Sequence, residues 1–167
     1  MAKGAALAVF VISAALGGLV SPVAAGAAGP HPHPFRATLH ETVISSDDCT
    51  SVSPCVIHET GTVSGSLTGP GTVTVVRNIV YGATTLGCLV SGTSTETLTI
   101  VTRSGGELSV NSSGTFCVVV GAGTETGTLT ITGGTGRFAG SSGTGSYTFT
   151  SDPLSGNGVA HWAGVVA

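Results

Sequence analysis

The chain has 167 residues, a length that suits one domain, and it carries five Lys and Arg residues against eight Asp and Glu residues. The formal net charge of −3 and the lack of a basic cluster exclude nucleic-acid backbone binding, which needs several grouped cations. The low charge does not indicate disorder, because Val, Ile and Thr are frequent and their branching at Cβ favours pleated sheet.

Residues 1–28 have the features of a secretion signal. Lys3 supplies a short positive segment, Leu7 to Val20 form an apolar core, and small residues follow as far as Ala28. An uncleaved anchor is the alternative, but the apolar run is shorter than the roughly 20 residues of a membrane span and Pro22 ends it. We therefore expect a secreted, extracellular protein with no membrane span after signal cleavage, whose exact cleavage site the sequence leaves open.

The remainder of the chain is predicted to be all-β. Residues 29–34 are a proline-rich lead-in, which we expect to be a short extended spacer, and residues 35–167 form a single domain of strands separated by turn residues. Eight to ten short strands with glycine-rich turns are typical of a barrel or a sandwich. The predicted strands are 35–45, 56–67, 71–81, 95–103, 106–112, 114–120, 124–132, 143–150 and 157–166, while 83–91 is either a strand or a loop.

Four cysteines lie beyond the signal, and an even number in an oxidising compartment predicts two disulfides. Three pairings exist, and we expect Cys49–Cys55, which closes the turn between the first two strands, and Cys88–Cys117. A metal site is the weaker interpretation, because the sequence has no Cys-x-x-Cys pair. We expect neither a metal nor a cofactor.

The most specific motif is Ile131–Gly140, ITGGTGRFAG, between two alternating segments. Gly133, Gly134 and Gly136 are expected to supply the positive φ values of tight turns and bulges. We expect Phe138 to pack over a barrel end. Arg137 is expected to be structural, with contact to an anionic ligand as the alternative.

This motif, with the Gly-Thr-Gly-Ser strand that follows it, resembles the hairpin of the dirigent and allene oxide cyclase-like β-barrel superfamily, in its small exported bacterial members. The order of FRATLHETV, TGTVSG, GPGTVTV and the final HWAG agrees with that layout. The resemblance implies an eight-stranded antiparallel barrel with an apolar lumen, often in a homo-oligomer. Members steer the radical coupling of phenols or isomerise and cyclise lipid-derived or polyketide substrates. No other stretch matches a catalytic motif, so the catalytic residues stay unknown.

Strand alternation identifies candidate site residues, because residues of one parity face one side of a strand. On five strands a charged residue shares the parity of the apolar residues, and burial of charge is costly unless it is paired or hydrated. With a turn at 67–71, Gly61 is expected opposite Arg77, and Glu59 becomes a diagonal partner of Arg77. The alternative is that Glu41, Glu96 and Glu125 lie near strand ends and face water. The five charges are Glu41, Glu59, Arg77, Glu96 and Glu125.

The lumen candidates for ligand binding are Glu41, Glu59, Arg77, Tyr81 and Glu96. His40 and His58 have the opposite parity and are expected on the outer face, and core packing is the favoured role of both Tyr81 and Tyr147. Of His161 and Trp162, only one can face inward, and Trp162 is expected to pack.

Three functions follow from these expectations. The first is a barrel that binds a small, mostly apolar molecule in its lumen and in some way steers it. The second is a disulfide-linked structural or cell-surface module without catalysis. The third is an isomerase or cyclase with a carboxylate acid/base pair. The volume of the lumen distinguishes the first from the second, because a binder needs an open cavity of roughly 300 Å3 or more.

Overall fold

The computed structural model describes residues 31–49, 53–83 and 85–167. The predicted signal lies outside these residues, as does the beginning of the lead-in. Eight antiparallel strands, each paired with its sequence neighbours, form a closed barrel, and β8 pairs with β1. A 3-10 turn at Gly136–Phe138 separates β6 from β7. The strands are β1 His33–Ser46, β2 Cys55–Gly65, β3 Gly71–Tyr81, β4 Val90–Thr102, β5 Glu107–Val119, β6 Ala122–Gly134, β7 Gly143–Asp152 and β8 Asn157–Val166.

The all-β barrel prediction is confirmed, with three changes to the predicted strands. β1 begins at His33, so the end of the lead-in is part of the sheet rather than a spacer. The predicted strands 106–112 and 114–120 are one strand, because Gly114 continues the ladder between Ser94 on β4 and Gly127 on β6. Of the segment 83–91, only the last two residues belong to a strand, at the start of β4.

The predicted register of β2 against β3 is wrong by four residues. Arg77 lies opposite Ile57, and Gly61 lies opposite Val73. The physical reason is the stagger of strands in a closed barrel: the last two residues of β2 run beyond β3 and pair only with β1. A shift by an even number of residues keeps the same side chains facing inward, so Glu59 remains a diagonal neighbour of Arg77.

Both predicted disulfides are confirmed. Cys49 is bonded to Cys55 across the β1–β2 connection, and Cys88 before β4 is bonded to Cys117 on β5. No free cysteine occurs in the described part of the chain. Two disulfides fit a protein of an oxidising, extracellular compartment.

The hydrophobic core fills one half of the lumen. Its members come from all eight strands and from Phe138 of the 3-10 turn, which packs over this end of the barrel as predicted. Thr and Ser occupy much of the outer face, where pleating places the alternate residues. The most deeply buried side chains are Leu39, Val73, Val75, Leu98, Ile100, Leu108, Val110, Leu129 and Ile131.

Candidate functional site

The lumen changes character along the barrel axis, and β5 shows the change most clearly. Its inward residues begin with Leu108 and Val110 in the packed half, continue with Ser112, and end with Phe116 and Val118 around an open cavity. The other strands that carry a lumen charge place it at the same middle level. We call this level the polar layer and define it by Glu41, Glu59, Arg77, Glu96 and Glu125.

Arg77 is the centre of the polar layer. Its Nε donates to Glu59 Oε2 at 3.0 Å and its Nη1 donates to Glu125 Oε2 at 2.8 Å. Its Nη2 donates to Glu41 Oε2 at 3.4 Å and lies 2.9 Å from Glu96 Oε1. All five side chains are buried. The predicted contact of Glu59 with Arg77 is therefore present, and the expectation that some of these charges face water at strand ends is wrong.

Neutral side chains complete the layer. Ser94 and Tyr147 both donate to Glu125 Oε1, and Ser112 donates to Glu96 Oε2 at 2.5 Å. The guanidinium carbon of Arg77 lies 4.4 Å from the centre of the Phe149 ring. The sequence predicts Tyr147 in the core but no contact with Glu125, since alternation within one strand does not give the register that makes Tyr147 a diagonal neighbour of Glu125 on the adjacent strand.

A glycine makes room for these contacts. At Gly114, a Cβ would collide with Tyr147 Oη and lie 2.9 Å from Glu125 Oε1. Gly61 on β2 does not make room for the guanidinium, because a Cβ there would meet the backbone of β1 at His40 and Glu41. Gly61 therefore permits the close approach of β1 and β2 rather than the placement of Arg77.

In the polar layer four buried carboxyl groups surround one cation, and this arrangement shifts the pKa values of several of its groups. Burial raises the pKa of Glu41 to about 8, the negative charge of Glu59 adds to the increase, and Arg77 opposes it. Burial likewise raises the pKa of Glu96, again opposed by Arg77. The pKa of Tyr147 is raised by burial and by the charges of Glu96 and Glu125. For Arg77, the four carboxylates outweigh the effect of burial and raise its pKa.

Beyond the polar layer the lumen opens into a cavity of about 650 Å3. Glu59, Arg77 and Glu125 form its polar floor, while most of its wall is apolar. The connections at this end of the barrel also expose large apolar side chains, among them Leu86 and Leu154, which are almost fully exposed. The apolar wall residues are Val43, Ile57, Ile79, Leu89, Val90, Phe116, Val118 and Phe149.

The predicted site residues divide between this cavity and the layer beneath it. Glu59 and Arg77 line the cavity, whereas Glu41 and Glu96 contact Arg77 without lining it. Tyr81 also lines the cavity, as a lumen candidate should, but it does not pack in the core: it is 41% exposed at the mouth, because β3 ends there. Its ring makes an edge contact with Phe116, with 6.1 Å between centroids. Glu125, which also lines the cavity, was noted for its parity but not chosen as a candidate.

The glycine-rich hairpin lies at the opposite, packed end. Gly133 and Gly136 have positive φ values of 136° and 59°, as expected. Gly134 does not, so that expectation is wrong; a Cβ there would collide with the carbonyl oxygen of Glu107. Arg137 donates to the backbone carbonyls of the β2–β3 connection and covers the Phe138 ring, which is a structural role.

The remaining candidates are three histidines on the outer face and one tryptophan in the core. His40, His58 and His161 are exposed and Trp162 is buried, as predicted. Among the described residues, no group of three His, Cys, Asp or Glu residues is arranged to hold a metal ion. Over the same residues, no helix has the length and apolar character needed to cross a membrane.

No protein-family model matches the chain, and no curated protein matches it in sequence.

Proposed function

We propose that this barrel binds one small, mostly apolar molecule in the open half of its lumen, with the polar end of the molecule at the floor formed by Glu59, Arg77 and Glu125. The observation that carries the proposal is the cavity of about 650 Å3 above a buried polar layer. Ligand sites of small molecules are commonly 300 to 1,000 Å3, mainly apolar, and supplied with a few polar groups that fix orientation.

The contrast between the two halves of the barrel also supports binding. A structural module gains stability from a filled core, and here only one half of the lumen is filled. Leu89 and Val90 are both exposed to solvent and line the cavity, so its mouth offers apolar surface to a molecule that enters. The resemblance to dirigent and allene oxide cyclase-like barrels, whose lumens take apolar molecules, agrees with this proposal.

A second candidate function is isomerisation or cyclisation of the bound molecule. It is favoured by one observation: Glu59 and Glu125 both line the cavity, so one substrate could contact two carboxyl groups. Ser94 and Tyr147 hold Glu125 in place, as an acid or base must be held. Steering a reactive molecule without acid or base chemistry would need only the shape of the cavity.

The test is the binding of a neutral fluorescent probe, N-phenyl-1-naphthylamine, to the folded protein. We expect a saturable rise in fluorescence with one site per chain. Mass spectrometry of small molecules retained by protein from its native host would then identify the natural class of ligand. The absence of any binding by folded protein would refute the proposal and favour the structural or cell-surface module.

A further inference from the structure

Acceptors outnumber donors in the polar layer. A guanidinium has five N–H groups, and four carboxylates present eight oxygens to it. The directed hydrogen bonds of Arg77 reach Glu41, Glu59 and Glu125. Glu96 Oε1 is buried and has no hydrogen-bond partner in the described part of the chain, although it lies 2.9 Å from Nη2. At the cavity floor, Glu59 and Glu125 therefore present acceptor oxygens, while the N–H groups of Arg77 are already directed at protein carboxylates.

The positive charge of Arg77 is already compensated. Four carboxylates and one guanidinium give a formal charge of −3, and protons on Glu41 and Glu96 would still leave −1. The ring of Phe149 covers the guanidinium at 4.4 Å. Among the described residues that line the cavity, Arg77 is the one cation, while Asp152 adds a further carboxylate near the mouth. The net negative charge of the polar layer would repel an anionic ligand end, and the buried environment screens this repulsion only weakly.

We propose that the cavity selects apolar molecules whose polar end donates hydrogen bonds, a hydroxyl or a protonated amine, and rejects those that end in a carboxylate. This inference rests on the proposed function and names its ligand class. Arg77 taken alone in the sequence predicts a preference for a carboxylate, phenolate or enolate end, a preference that shifts toward a neutral polar end if Glu59 already pairs with Arg77. The structure reverses that expectation, because the donors of Arg77 are directed at protein carboxylates and Glu59 and Glu125 face the cavity beside it.

The test uses four probes with one naphthalene body: 2-methylnaphthalene, 2-naphthylmethanol, 2-naphthylmethylamine and 2-naphthoate. Each displaces N-phenyl-1-naphthylamine from the full-length protein at pH 7. We expect the alcohol and the amine to bind about tenfold more tightly than 2-methylnaphthalene, as one added hydrogen bond allows. We expect the carboxylate to bind at least tenfold more weakly than the alcohol.

The probe series separates two kinds of failure. If 2-methylnaphthalene binds and 2-naphthoate binds as tightly as the alcohol, the inference is overturned and the apolar binding function stands. If none of the four probes binds, the proposed function itself fails, and the inference fails with it. The result needs only the wild-type protein, so it does not depend on the folding of a variant.

A matched pair of variants locates the preference at the floor. Glu59→Gln removes one carboxylate that lines the cavity, and Glu107→Gln makes the same change at an exposed position at the start of β5. We expect E59Q to lower the ratio of amine to carboxylate affinity about tenfold. E107Q should leave that ratio unchanged. An equal change in both variants would assign the preference to net charge and overturn its placement at the floor.

Discussion

Glu41 links the protonation of the polar layer to the stability of the fold. It is buried against Arg77, and its pKa is raised to about 8 from an ordinary value of 4.5. The folded state therefore holds a proton that the unfolded chain releases at a much lower pH. The stability that this proton provides is complete below about pH 4.5, falls as the pH rises, and is lost once the pH passes about 8.

We therefore predict that Glu41→Gln flattens the dependence of stability on pH. The amide keeps the shape of the carboxyl group and cannot ionise. The free energy of unfolding of the wild-type protein should fall by a few kcal/mol between pH 5 and pH 8.5, because each unit of pKa shift corresponds to roughly 1.4 kcal/mol. Most of that fall should be absent in E41Q. Urea unfolding at several pH values measures the difference. The control variant Glu107→Gln, at an exposed position, should show the same dependence of unfolding free energy on pH as the wild type. The prediction would be contradicted if the free energy of unfolding of E41Q changed with pH in parallel with that of the wild type.

At the scale of single elements, glycines allow strands and side chains to approach each other in the polar layer. Gly123 and Gly127 both face inward on β6 and differ in what surrounds them. A Cβ at Gly127 would collide with the carbonyl oxygen of Ser113 and lie 2.6 Å from Tyr147 Cε1. A Cβ at Gly123 would meet only the side chain of Ser151, which can rotate away.

We predict that Gly127→Ala destabilises the protein by about 2 kcal/mol or more, whereas Gly123→Ala costs less than about 1 kcal/mol. The first value is that of overpacking in a site that cannot relax, because the colliding atoms include backbone of β5. Thermal and urea unfolding of the two variants gives the comparison directly. Equal costs would mean that β5 and β6 separate easily at Gly127, and would contradict this account of the layer.

The strands show which parts of the fold were predictable from the sequence. Alternation predicted the inward side of Glu59 and Arg77, since a strand's own residues determine parity. The register of β2 against β3 was mispredicted by four residues, because stagger depends on closure of the whole barrel. Glu96 lies directly opposite Arg77 on the neighbouring strand β4, so its contact depended only on the register of that one pair. The contact of Glu125 with Arg77 could not be predicted, because β6 approaches β3 only across the closed lumen.

At the scale of the whole molecule, the barrel is stabilised at one end and open at the other. Phe138 and apolar side chains from all eight strands form the core, which is packed at the hairpin end. The polar layer closes this core, and the cavity begins above it. This arrangement leaves half of the lumen open without weakening the other half, since the hydrophobic stabilisation comes mainly from the filled part.

The same substitution on one strand should therefore have opposite effects at the two ends. Val110 and Val118 both face inward on β5; Val110 is fully buried in the core, and Val118 lines the cavity. We predict that Val110→Phe destabilises the protein by about 1 to 3 kcal/mol, because the core has no space for the ring. Val118→Phe should stay within about 1 kcal/mol of the wild type, because its ring enters open volume.

The effects of the two variants on probe binding should be the reverse of their effects on stability. V118F should bind N-phenyl-1-naphthylamine at least tenfold more weakly than the wild type, since the added ring occupies part of the ligand volume. V110F, measured where it is folded, should bind the probe as the wild type does, because the polar layer separates position 110 from the cavity. A folded V118F that binds with wild-type affinity would place the probe elsewhere on the protein. Loss of binding in both variants would show that the two halves are coupled through the polar layer rather than separated by it.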